Sequence, residues 1–94
     1  MTAEAATGEY EIINALGLHA RAAAQLVKIA NRYPCEVWLE CEGESVNGKS
    51  IMGVLMLAAA RGTIVTVKTD GEQARECADA IAQLFDKGFN EGVG

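Results

Sequence analysis

The spacing of apolar and polar positions changes repeatedly along the chain, and each change marks an element. Residues 9–14 (EYEIIN) alternate, which predicts a short strand with Tyr10, Ile12 and Asn14 on one face. Gly17 breaks it. From His19 the period lengthens: Ala23, Leu26, Val27 and Ala30 recur at helical spacing and predict the buried stripe of a first helix. Asn31 and Pro34 close that helix, because proline disfavours helical geometry in the residue before it. Residues 36–42 alternate strictly, with Val37, Leu39 and Cys41 facing one way and Glu36, Trp38, Glu40 and Glu42 the other. Gly43 turns the chain into a short partner strand at residues 44–47, and Gly48 ends it. Ser50, a favoured N-cap, opens the apolar run 51–60 as a second helix, which Gly62 closes. Residues 63–69 (TIVTVKT) predict a fourth strand with Val65 and Val67 together, followed by an Asp70-Gly71 turn. Ala74, Cys77, Ala78, Ile81, Leu84 and Phe85 trace a last amphipathic helix, and residues 88–94 taper off.

The order is βαββαβα, without repeats or linkers. Four short strands with alternating faces predict an α+β fold: an open-faced sandwich with one mainly antiparallel four-stranded sheet and three helices on a single side. The uncovered face suits Trp38 and the alternating glutamates. A chain of 94 residues accommodates one hydrophobic core. Its limits are expected at residues 9–90, with 1–8 a flexible N-terminal extension and 91–94 a flexible tail.

Composition narrows the function classes. No apolar run approaches the roughly 20 residues that span a bilayer. Residues 1–8 have neither a basic start nor an apolar stretch, so no signal peptide is read there and the expected location is cytoplasmic. Eight basic against thirteen acidic residues give a formal charge of −5. That balance lacks the basic stripe that nucleic-acid binding requires. Cys35 and Cys41 fall on one apparent strand, roughly 20 Å apart if extended, too far for a disulfide. With one histidine and no CxxC pair, a structural zinc site is not expected, nor is any cofactor. The three thiols are read as reduced, buried small hydrophobes.

Chemistry concentrates at His19, the only histidine, at the predicted start of the first helix. Helix starts offer unpaired N–H groups and the positive end of the macrodipole, which favour anions such as phosphate. The same field disfavours an imidazolium and leaves a neutral ring with a nucleophilic lone pair. Arg21 adds a guanidinium fork for phosphoryl oxygens. Taken locally, a histidine here is more often a cap or a surface residue, and Arg21 a solvated side chain. Ser50 has a similar pair of readings: an ordinary cap, or a site where a kinase adds phosphate without unfolding anything. Ile51, Met52 and Leu55 share a helical face and form either core or, if half covered, an apolar docking patch.

The segment GLHARAA at residues 17–23 resembles the active-site motif of the HPr phosphocarrier family of the phosphoenolpyruvate-dependent sugar phosphotransferase system. The segment SVNGKSIMGV at 45–54 resembles that family's regulatory-serine region, and the spacing from His19 to Ser50 agrees. The resemblance extends over residues 9–90. It implies that His19 takes a phosphoryl group from phosphoenolpyruvate through enzyme I and passes it to a sugar-permease acceptor domain. It implies that Arg21 steadies the phosphoryl group and that Ser50 is the target of an HPr kinase/phosphorylase whose action hinders His19. It also implies a partner-docking surface at Ala20, Ala24, Lys28, Ile51, Met52 and Leu55. Such a protein is a substrate of phosphotransferases rather than an enzyme, and a monomer is expected. Ala22 stands where the family usually has proline. Leu16 stands where it often has a small polar residue. Two other readings remain at this stage: a regulatory HPr-like protein in nitrogen-type or kinase-controlled signalling, and an interaction domain whose His19 is never phosphorylated.

Overall fold

The computed structural model describes residues 4–91. Four strands, β1 (Glu4–Glu11), β2 (Glu36–Cys41), β3 (Glu44–Asn47) and β4 (Ile64–Gly71), form one sheet in the order β1-β4-β2-β3. Every neighbouring pair is antiparallel. Three helices, α1 (Ala20–Ala30), α2 (Ile51–Leu57) and α3 (Ala74–Asp86), complete the expected α+β order, and a 3₁₀ turn follows at Gly88–Asn90.

Alternation sets the two faces of the sheet. Val37, Leu39, Cys41, Val65 and Val67 are buried toward the helices. Trp38 and the Lys68–Glu40 ion pair (3.0 Å) stand on the uncovered face. From α1 come Ala22, Ala23, Leu26 and Ala30; from α3 come Ala74, Cys77, Ala78, Ile81, Leu84 and Phe85. The α3 set is the one predicted, whereas in α1 Val27 is only half-buried and Ala22 takes a core position. The buried Thr69 donates its hydroxyl to the Ala74 carbonyl (2.8 Å), tying β4 to the start of α3. Cys35, Cys41 and Cys77 are free and buried.

The ends of the chain correct the sequence reading. β1 begins at Glu4, not at residue 9, and Glu4 to Glu11 pair with Gly71 to Ile64 of β4. Residues 4–8 carry no apolar alternation. Their place comes from backbone pairing along a β4 that itself runs two residues past its predicted end. Residues 1–3, and 92–94 of the expected tail, lie outside the described residues. At the other end, Phe89 is fully buried against Phe85, edge to face at 5.0 Å, so the chain does not taper off after α3. Glu91 follows it into the site below rather than into a tail.

Candidate functional site

The turn between β1 and α1 is built from Asn14, Gly17 and Leu18. Gly17 donates to the Asn14 carbonyl (3.2 Å), and Leu18 to the Ala59 carbonyl beyond α2 (3.0 Å). Gly17 has φ +66°, and a Cβ placed there would lie 2.5 Å from the Ala59 oxygen. Only glycine satisfies both conditions without strain. The turn delivers His19 as the N-cap of α1, in extended conformation (φ −78°, ψ −176°).

The two ring nitrogens of His19 have different partners. Nδ1 accepts the backbone N–H of Arg21 at 3.3 Å. Nε2 meets the Glu91 carboxylate oxygen Oε2. The other carboxylate oxygen accepts from the buried Asn14 side-chain amide at 3.0 Å, and that amide also donates to the Gly17 carbonyl at 2.9 Å. Both partners of Asn14 are acceptors, so its NH₂ group must face them. The Asn14 amide holds the Glu91 carboxyl below the usual carboxylate range; burial opposes this, while His19 and Arg21 reinforce it. The first helical bond of α1 runs from Ala23 N–H to the His19 carbonyl (2.8 Å), so the N–H groups of Ala20, Arg21 and Ala22 have no partner within the helix ladder. Ala22 is fully buried in that first turn.

His19 is half-buried at the edge of an open cleft of about 610 Å³, lined by Leu16, Arg21, Asn90 and Glu91 among others. Leu16 is 72% exposed. The cleft thus offers one nucleophilic ring, the helix-start N–H groups of Ala20 and Arg21, the latter already turned to Nδ1, and a guanidinium on a surface open to another macromolecule. That combination suits transient attachment of a phosphoryl group.

Ser50 caps α2: its Oγ accepts the Gly53 N–H at 3.1 Å. Beside it Ile51, Met52 and Leu55 are exposed, so that helix face is patch rather than core. Met56, on the same helix, is 72% exposed. Met56 was not singled out from sequence, although it is adjacent to Leu55 in the same apolar run, and Leu16 was noted only as a departure from the family's usual small polar residue. Ala20, Ala24 and Lys28, four residues apart, form an exposed stripe on α1. Glu91 is the site residue that sequence reading missed. Its only sequence signal is a carboxylate two residues after an aromatic, too weak to place it 72 positions away against His19. No helix among the described residues is long and apolar enough to cross a membrane.

Comparison with known proteins agrees with this geometry. A family profile described as the PTS HPr component phosphorylation site matches residues 6–87. The phosphocarrier protein HPr of Pseudomonas aeruginosa is 53% identical over 85 residues, covering 89% of this chain and 94% of that protein. HPr-C-His from Thermoanaerobacter tengcongensis superposes with a TM-score of 0.90 at 34% identity, over 94% of this chain and 99% of that one. HPr from Bacillus anthracis superposes with a TM-score of 0.82 at 36% identity, over 86% and 96%. With a motif, a fold and relatives that agree over most of its length, the chain belongs to the HPr family and is a phosphocarrier of the phosphotransferase system.

Proposed function

We propose that His19 carries the phosphoryl group on Nδ1. The observation behind this is the division of labour at the ring: Nδ1 accepts a backbone N–H at the helix start, whereas Nε2 is engaged by Glu91. A neutral imidazole has one N–H and one lone pair, and a lone pair turned toward Arg21 N–H puts the proton on Nε2. A phosphoryl group on Nδ1 then meets the N–H groups of the first turn and the Arg21 guanidinium. Its negative charge sits at the positive end of the α1 macrodipole, a gain of about 0.3–1 kcal/mol for an exposed site. Ala22 leaves these donors in place, since its own N–H needs no helical partner.

In the cell the donor is enzyme I, charged from phosphoenolpyruvate, and the acceptor is a sugar-permease domain. Both dock on the patch of Ala20, Ala24, Lys28, Ile51, Met52 and Leu55, which adjoins the cleft. The protein acts in the cytoplasm as a monomer and has no turnover of its own. Ser50 is a regulatory site for an HPr kinase/phosphorylase. A phosphate on the α2 cap places about two negative charges beside that apolar patch and hinders docking without unfolding the helix.

Incubation with phosphoenolpyruvate and purified enzyme I tests the proposal by intact mass. The expected result is gain of one phosphoryl group that mild acid removes, absent in His19→Ala. Acid-stable phosphate, or equal labelling of His19→Ala, contradicts it.

A further inference from the structure

We infer that Glu91 is a positioning residue for phosphoryl transfer: its carboxylate keeps the His19 proton on Nε2 and balances the positive charge that the ring acquires when Nδ1 is phosphorylated. The inference rests on His19 being the phosphoryl acceptor.

Four features make this contact a built one. The segment after α3 is anchored by Phe89, which is fully buried against Phe85. Gln25 on α1 clamps it twice, donating to the Phe89 carbonyl (2.9 Å) and accepting from the Asn90 side chain (2.7 Å). Phe89 and Asn90 both hold left-handed backbone (φ 53° and 63°), a geometry that persists where surrounding contacts enforce it. Finally, both carboxylate oxygens of Glu91 are used, one by Asn14 and one by His19. The carboxylate is therefore oriented as well as near.

The transfer balances without moving a proton at His19. The Nδ1 lone pair forms the new bond to phosphorus while the bond from phosphorus to the donor's leaving atom breaks, and that atom keeps the electron pair. The ring retains its Nε2 proton and becomes a phosphoimidazolium facing Glu91. Onward transfer returns the P–N electron pair to Nδ1 and restores the neutral ring. Among the described residues lining the cleft, the charged groups facing this ring are Glu91 and Arg21. Arg21 opposes the ring cation, so the balancing charge falls to Glu91. The Asn14 amide also holds that carboxyl below its usual range.

A protonated phosphoimidazole loses its phosphoryl group faster than a neutral one, because a neutral imidazole departs. Glu91 therefore extends the fast-leaving form to higher pH. Wild type, Glu91→Gln and Glu91→Ala would be phosphorylated enzymatically and the decay of the phosphohistidine followed by ³¹P NMR between about pH 5 and 9. In wild type the fall in hydrolysis rate is expected at a pH about one unit higher than in either variant. Glu91→Asp is expected to recover part of the shift. A residue that merely ties down the chain end alters the yield or rate of phosphorylation without moving this midpoint, so coincident midpoints overturn the role of Glu91. Failure of wild type to form phosphohistidine overturns the carrier reading itself, and this inference with it.

Discussion

At the scale of single residues, His19 meets two demands with one geometry. An N-cap must present an acceptor to the first backbone N–H groups, and a nucleophile must present a lone pair to an incoming electrophile. Nδ1 does both, and a phosphoryl group on it would inherit the Arg21 N–H that the cap had satisfied. Gly17 makes this possible by passing under the Ala59 carbonyl in a conformation that L residues avoid. Gly17→Ala is therefore expected to cost about 2 kcal/mol of stability, measured by urea denaturation, and to slow phosphorylation by displacing His19. Wild-type stability together with a wild-type rate would contradict that role. His19, Arg21 and Gly17 were legible in the sequence because their chemistry is local, three kinds of residue within five positions. Glu91 was not legible, since a side chain meeting another 72 positions away leaves no periodicity to read.

At the scale of elements, local rules succeeded where a side-chain pattern carried the structure and failed where the backbone did. β2 and α3 announce themselves by alternation and by helical spacing, and their buried faces are those expected. The first half of β1 has no such pattern; its residues are held by main-chain pairing to β4, which any side chain permits. The segment after α3 was missed for a different reason. A single Phe89 between glycine and polar residues reads as a tail, yet one aromatic finding a place beside Phe85 is enough to fix it. The α2 cap is where the sequence expectation and the structure coincide, with Ser50 accepting the Gly53 N–H. Ser50→Ala removes the hydrogen bond to Gly53 and is expected to lower stability by about 1 kcal/mol. Ser50→Asp, which keeps a capping acceptor, is expected to retain stability but to raise the KM for enzyme I by adding charge beside Ile51 and Met52. An unchanged KM for Ser50→Asp would argue against the docking role of this helix.

At the scale of the whole molecule, one side of the sheet carries the core and one end of the helical layer carries the chemistry. Stability and the proposed function are thereby separated: the valines of β2 and β4 are buried, while the proposed docking patch and the cleft are exposed. The thiols belong to the first group. Burial pushes the Cys77 thiol up to about 12, the hydrogen bond and charge of Cys35 act in the same direction, and Lys49 opposes them. The unfolded chain sheds this proton at a lower pH than the folded one, so the contribution is intact below about pH 9 and declines as pH rises toward 12. The expected outcome is a Tm that falls above about pH 9 in wild type, and falls less steeply in Cys77→Ala. Parallel profiles for the two proteins would show that the buried thiol is not the cause.

The central claim is that the phosphoryl group resides on Nδ1 of His19 at the start of α1. The most direct measurement is a long-range ¹⁵N–¹H and ³¹P NMR spectrum of the ¹⁵N-histidine-labelled protein after enzymatic phosphorylation. Having a single histidine, the chain gives an unambiguous spectrum. The predicted result is phosphorus coupled to Nδ1 with the proton retained on Nε2. Phosphorus on Nε2, or a ring unchanged while another residue carries phosphate, would contradict the account.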